Sequence, residues 1–185
     1  MKYKTILADP PWKFKDKLDK SRTLPYKNMT IQDLICLPVS KLVEKEAHLY
    51  LWCPTTLIDE GIYLMEMWGF DYKTIVVWQK LTKYGKKWFG MGHYFRNSVK
   101  VCLFGTINNL KTRTNDTRNS FEAIKPSRHH SAKPDEMYEI IENNSYPPYL
   151  ELFATKKREN WDSLGFQIDN KDIRDSIEEL IIKLI

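Results

Sequence analysis

The chain has 185 residues, of which 42% are apolar and 29% charged, with a net charge of +5. That composition suits one domain with a buried core and excludes a disordered polyelectrolyte. The apolar runs are only a few residues long, which excludes a bilayer-spanning helix, and Met1-Lys2-Tyr3-Lys4 leads into a strand pattern with no small-residue cleavage site, which excludes a signal peptide.

The predicted elements alternate between strand and helix. Tyr3–Ala8 reads as a buried strand ending at Asp9-Pro10-Pro11-Trp12. Thr30, with Asp33 three residues on, makes a capping-box start for a helix that Pro38 stops. Ala47–Cys53 is a second strand. A helix over Thr56–Trp68 follows, with Ile58, Ile62 and Met65 on one face and Gly69 as its cap. Thr74–Trp78 and Val99–Phe104 are the third and fourth strands. Pro134 opens a helix with Asp135 and Glu136 in its first turn. Tyr149–Ala154 is the fifth strand, and residues 170–185 form a terminal amphipathic helix carrying Ile173, Ile177 and Leu180. No repeat or Pro/Gly linker divides the chain, so residues 1–185 read as one α/β domain built on an open, mostly parallel sheet.

Such sheets bind ligands at the carboxyl ends of their strands. The loops expected at that end are 13–29, 81–96 and 108–133. Charge is uneven there: Tyr72 to Asn115 holds nine Lys or Arg and no acid, and Lys13 to Lys27 holds six basic residues. A basic rim of this kind suits a phosphate backbone, whereas a merely solvated lysine face would carry no partner. Aromatics reach 13%, enough for stacking surfaces as well as core filling. Cys36, Cys53 and Cys102 are odd in number and far apart, and the four histidines lie at no metal-ligand spacing with them. A reduced, metal-free cytoplasmic protein is expected.

Asp9-Pro10-Pro11-Trp12 carries the chemistry. Two prolines fix φ twice and remove two amide donors, so the Asp9 carboxylate and the Pro10 carbonyl are acceptors on a stiff turn beside the Trp12 ring. Two acceptors and a flat face match an exocyclic amine on a planar base. Accepting both amine hydrogens localises the nitrogen lone pair, and the nitrogen then attacks an electrophilic methyl group. This is preorganised electrostatic stabilisation. The competing structural reading is an Asp that caps a turn next to a core tryptophan, and the strand-end position counts against it.

At these residues the sequence resembles the adenine N6-methyltransferases related to the catalytic subunit of the eukaryotic mRNA adenosine methyltransferase, a family with many bacterial and phage members that act on DNA. The resemblance extends to Pro25-Tyr26, His48-Leu49-Tyr50-Leu51-Trp52, Gly92-His93-Tyr94-Phe95-Arg96-Asn97, Ala132-Lys133-Pro134, Glu151-Leu152-Phe153 and Trp161-Asp162-Ser163-Leu164-Gly165. It implies a Rossmann-like fold that uses S-adenosylmethionine. Asp9, Pro10, Pro11 and Trp12 would then be catalytic. Asp9, Lys133, Glu151, Leu152, Phe153 and Gln167 would line the cofactor site, with Glu151 toward the ribose. Tyr26, His93, Arg96 and Asn97 would meet the acceptor, and Trp12 with Tyr26, joined by Tyr94 or Phe95, would hold an extruded base; loop packing is an equal reading of Tyr94 and Phe95. The chain departs from the family at Lys100, where a carboxylate is common, at Phe166, where Asn is common, and at Thr155, where arginine is common and Lys157 or Arg158 would have to substitute.

The expected activity is adenine N6-methylation in nucleic acid, DNA in preference to RNA. Two alternatives stay open at this point: an RNA acceptor, and a non-catalytic nucleic-acid-binding partner subunit on the same fold. The tetrapeptide alone also admits cytosine N4 or a small amine. No membrane contact is expected, and homo- and heterodimers are both compatible with the sequence.

Overall fold

The structure, a computed structural model, describes residues 2–14, 28–126 and 132–184. In chain order it contains β1 (Tyr3–Ala8), α1 (Ile31–Ile35), β2 (Val43–Cys53), α2 (Ile58–Met67), β3 (Asp71–Leu81), β4 (Val99–Ile107), β5 (Ser120–Ile124), α3 (Asp135–Asn144), β6 (Tyr149–Leu152), β7 (Trp161–Leu164), α4 (Phe166–Asp169) and α5 (Ile173–Leu184). Among the described residues no helix is long and apolar enough to cross a membrane.

Local chemistry explains the element ends. Thr30 and Asp33 form the reciprocal capping box: Asp33 N–H donates to Thr30 Oγ1 at 3.2 Å and Thr30 N–H to Asp33 Oδ2 at 2.9 Å. Gly69, at φ +88°, closes α2, its N–H donating to the Glu66 carbonyl. β6 stops at Leu152 because Phe153 takes φ 63°, a left-handed turn inside the expected fifth strand. β5, β7 and the one-turn α4 were not anticipated. SFEAI and WDSL are too short and too polar to show a strand period.

The seven strands lie in the order β5-β3-β4-β2-β1-β6-β7. β1 pairs in parallel with both β2 and β6, placing Ala8 between Leu51 and Leu152. Among the strands of the described residues β4 alone runs against the rest, pairing antiparallel with β2 and β3. The sheet is therefore mostly parallel. Side-chain alternation divides the core into two layers. Ile6, Ala8, Leu49 and Leu103 face α1, α2 and α5, while Leu7, Tyr50, Trp52 and Cys102 face α3.

Reversal of β4 changes where the loops go. Ile107 lies opposite Ala47, at the amino end of β2, so residues 108–119 sit away from the strand ends that bear Asp9. The expectation that 108–133 borders the site is corrected for residues 108–119 only, since Lys133 at its far end does reach Asp9. Residues 127–131 of that loop and 15–27 of the loop 13–29 lie outside the described residues. Arg113 is engaged with the carbonyls of Asn144 and Glu142. The same reversal carries the first residues of β4, including Lys100, to the end that bears Asp9.

Gly165 sits between β7 and α4, where the backbone of residue 154 passes closely. A Cβ at 165 would fall 2.4 Å from the Ala154 carbonyl oxygen and 2.7 Å from its nitrogen. Gly165→Ala therefore forces Phe166 and Gln167 away from Ala154. It should cost about 1–3 kcal/mol, the usual range for an overpacked site, readable as a lower midpoint in urea unfolding.

Candidate active site

Asp9 follows directly on β1, and the turn after it is pinned on both sides. Trp12 N–H donates to the Pro10 carbonyl at 2.9 Å, and Met29 N–H to the Pro11 carbonyl at 2.8 Å. The Pro10 carbonyl, the second expected acceptor, thus has one of its two lone pairs already engaged. Trp12 does not present the open stacking face expected of it. Its ring is 6% exposed and its indole N–H donates to the Trp52 carbonyl at 3.0 Å. It anchors the turn to β2.

The Asp9 carboxylate is held by two lysines. Lys100 Nζ lies 2.7 Å from Oδ1, and Lys133 Nζ donates to Oδ2. Both ammonium groups lie over the ring of Trp52, at 5.3 Å and 5.9 Å from its centroid. Trp52 is fully buried and meets Trp78 edge to face. An aromatic face attracts cations, so this floor favours the paired lysines where an aliphatic one would not.

Burial alone would raise the pKa of Asp9. Lys100 and Lys133 overcome that cost and hold its carboxyl below the usual value. Lys100 moves the other way. Desolvation, with Lys133 adding repulsion, pulls its ammonium down to about 8 against the attraction of Asp9. Lys80, nearby on β3, is also lowered to about 8 by burial, with Lys100 and Lys125 repelling it. The sheet end that bears Asp9 therefore gathers more positive charge than its one paired carboxylate offsets.

Two cavities meet at Asp9. The larger, about 560 Å³ and open to solvent, is lined by Asp9, Pro11, Phe153, Thr155, Phe166 and Gln167, with Lys171, Asp172 and Ile173 closing it from the start of α5. The smaller, about 300 Å³, is lined by Asp9, Lys133, Tyr138, Glu151, Phe153 and Thr155. Glu151 is buried. Its Oε1 accepts from Tyr138 Oη–H at 2.9 Å, while its Oε2 has no hydrogen-bond partner among the described residues. Burial pushes its carboxyl above the ordinary range, opposed by the Tyr138 hydrogen bond.

The predicted residues thus divide. Asp9, Phe153 and Gln167 share the larger cavity, and Asp9, Lys133, Glu151 and Phe153 share the smaller. Glu151 lies with Lys133 rather than with Gln167. Leu152 is 0% exposed and belongs to the core. Arg158 is not available at Thr155, because it pairs with Asp135 and stacks on the Tyr138 ring. His93, Arg96 and Asn97 stand exposed on the β3–β4 connection, where the Asn97 carbonyl accepts from Gly90 N–H. Tyr26 lies outside the described residues. Lys100, Trp52 and the start of α5 were missed as site residues. Among the described residues no cluster of three or more His, Cys, Asp or Glu could hold a metal ion.

A mostly parallel α/β sheet with ligand-sized cavities at the carboxyl ends of β1 and β6 is the Rossmann-like fold of S-adenosylmethionine-dependent methyltransferases. Within that class the chain belongs to the MT-A70 family, whose model matches residues 3–167. It is 31% identical over 174 residues to the rice (Oryza sativa subsp. japonica) protein named Probable N(6)-adenosine-methyltransferase MT-A70-like, covering 89% of this chain and 23% of that one. It is 28% identical over 177 residues to the Drosophila melanogaster N(6)-adenosine-methyltransferase MT-A70-like protein, covering 91% and 27%. With Type II methyltransferase M.MunI of Mycoplasma sp it shares 28% identity over 196 residues, covering 92% and 80%. The chain spans only about a quarter of the length of the first two relatives.

The family implies S-adenosylmethionine, and the residues present fit it. The orphaned Glu151 oxygen and Lys133 offer an acceptor and a donor to an amino-acid end, and Gln167 and Thr155 offer polar groups beside an aromatic wall to a nucleoside.

The lowered Lys100 has a consequence for stability. The folded chain binds this proton less tightly than the unfolded chain, whose lysine keeps the ordinary 10.5. Stability gained from Lys100 therefore rises with pH between about 8 and 10.5. Lys80, lowered to about 8 as well, contributes over the same window, so Lys100→Met should show a smaller rise rather than none. Urea unfolding of both proteins at a series of pH values measures it, and parallel pH profiles would show that Lys100 is not desolvated.

Proposed function

We propose that the chain transfers a methyl group from S-adenosylmethionine to the N6 amine of adenine in nucleic acid, DNA in preference to RNA. The observation that carries this reading is Asp9, an ionised carboxylate on a doubly proline-stiffened turn where two cavities meet. In this reading Lys133 and Glu151 take the charged end of the cofactor, and Phe153, Thr155 and Gln167 take its nucleoside. S-adenosylmethionine, when bound, supplies an electrophilic methyl group.

The chain's own part is to hold the amine. One Asp9 oxygen and the free lone pair of the Pro10 carbonyl accept its two hydrogens, drawing the nitrogen out of conjugation and stabilising the positive charge that grows on it. Each Asp9 oxygen, like the Pro10 carbonyl, keeps a lone pair beside the lysine it already holds. Lys100 is the group that shifts to admit the amine, since its side chain is 24% exposed against 5% for Lys133. The adenine leaves its stack to reach Asp9, because a paired amine cannot meet the carboxylate and a methyl donor together.

DNA is favoured by the likeness to Type II methyltransferase M.MunI, which this chain matches at 28% identity over 80% of that protein's length. An RNA acceptor is the second reading, and the relatives named as N(6)-adenosine-methyltransferases support it. Asp9 and its turn are intact, which argues against a non-catalytic partner subunit. A reducing, cytoplasmic setting belongs to the same reading, supported by three free thiols.

Asp9→Asn keeps the size of the side chain but turns one acceptor into a donor aimed at the amine's hydrogens. Methyl transfer should fall by at least ~10²-fold, as when a preorganised electrostatic group is removed. Nucleoside mass spectrometry after incubation with DNA, RNA and labelled cofactor reads both the loss and the preferred polymer. A variant that retained a sizeable fraction of wild-type turnover would defeat the mechanism, and methylation confined to RNA would overturn the choice of DNA.

Lys83, Lys86 and Lys87 on the β3–β4 connection are exposed and should contact phosphates without regard to base sequence. Replacing all three by Gln should flatten the dependence of log affinity on log salt by roughly two to three units, at about 0.7–0.9 per lost contact. Cofactor affinity should stay unchanged. A slope identical to wild type would remove these lysines from the interface.

A further inference from the structure

Between β3 and β4 the chain leaves the sheet as an arm over residues 82–98. Its base is fixed: Lys80 N–H donates to the Ser98 carbonyl at 2.9 Å, Trp88 N–H to the Lys80 carbonyl at 2.8 Å, and the Gln79 amide to the Ser98 carbonyl at 3.0 Å. A tight turn at Gly85, φ +74°, folds the first part back, with Thr82 N–H on the Lys86 carbonyl at 2.7 Å. The arm rises from the same end of the sheet as Asp9, because Lys100, which holds Asp9, follows it by two residues.

This arm carries an unusual surface. Tyr84 is 77% exposed, Phe89 76%, Met91 80%, Tyr94 95% and Phe95 88%. Five large apolar side chains left in water on one short connection mark a surface that meets a partner. The same stretch carries Lys83, Lys86, Lys87 and Arg96 and no acid. Lys83 lies 4.9 Å from the Tyr84 centroid and Arg96 5.2 Å from that of Phe89, so cations sit against the rings. A protein partner would have to match flat apolar rings and also neutralise four cations. An unpaired polynucleotide does both with one repeating unit, since every nucleotide brings a flat base and an anionic phosphate.

We propose that the 82–98 arm is a stacking platform for single-stranded nucleic acid, gripping the unpaired nucleotides beside the target adenine. The proposal rests on the nucleic-acid acceptor of the preceding subsection and deepens it. The rings take the bases, the lysines and Arg96 take the phosphates, and the strand so held runs past the end of β1. The arm then helps keep the target unpaired, and single strands or locally opened duplexes are the preferred acceptors.

The test measures binding and needs no turnover. Phe89→Ala, Tyr94→Ala and Phe95→Ala are combined in one variant; all three side chains are exposed, so the fold is spared. Fluorescence anisotropy of an end-labelled oligonucleotide containing one adenine is followed at several salt concentrations. Affinity for the single strand should fall about ten-fold or more, the scale set by lost base–aromatic stacking. The salt slope should not change, because no charge is lost, and affinity for the perfectly paired duplex should change little. Wild-type protein should show a similar loss when the nucleotides flanking the adenine are abasic. Wild-type-like affinity of the variant for the single strand would overturn the proposal. So would a change from dimer to monomer in sedimentation with nucleic-acid binding intact, which would make the arm an interface between copies. Single-strand binding without methyl transfer to any adenine would instead count against the proposed reaction and leave the arm's role standing.

Discussion

A carboxylate taken out of water at the end of a strand costs on the order of several kcal/mol unless opposite charge accompanies it. At Asp9 two lysines provide that charge, and much of the architecture follows from the need to deliver them. Lys133 comes from the segment that enters α3. Lys100 reaches the same carboxylate only because β4 is reversed, so that its first residues lie where the other strands finish. Trp52 lies beneath both ammonium groups, and Trp12 and Trp78 fix Trp52 in turn, one through its carbonyl and one through its ring.

The arrangement leaves the site charged and self-occupied. Two ammonium groups face one carboxylate, with Lys80 close by and Glu151 pushed toward its neutral form. The surplus attracts anions and suits a ligand that brings its own carboxylate or phosphate. Of the groups around Asp9, Lys100 is one whose proton burial has already loosened.

The main features of the fold were legible because they rest on local rules. The Thr30–Asp33 box, the Gly69 cap, the Pro134 start and the buried runs of β1, β2 and β4 each announce themselves within a few residues. Asp9 was legible because a carboxylate before two prolines at a strand end has few other uses. What stayed hidden was non-local. No periodicity tells a reversed strand from a parallel one, so nothing in the sequence placed Lys100 beside Asp9, and the first part of the expected loop 108–133, residues 108–119, was placed at the wrong end. Trp12 looked like an open platform because a sequence does not show which face a ring buries. The short strands β5 and β7 form by pairing with β3 and β6 and have little pattern of their own.

The larger cavity is walled by residue 9 on one side and residues 171–173 on the other. Its parts are therefore about as distant along the chain as any two regions of the molecule. The pairing of β1 with β6 and of β6 with β7 already brings the two walls close, so the remaining span from β7 to residue 171 is short. The cavity exists only while β1 is seated in the sheet and the start of α5 is docked beside it. A chain that has lost either wall keeps a sheet but no pocket. A molecule bound there is held by both walls and, by mass action, stabilises the docking of α5 against β1.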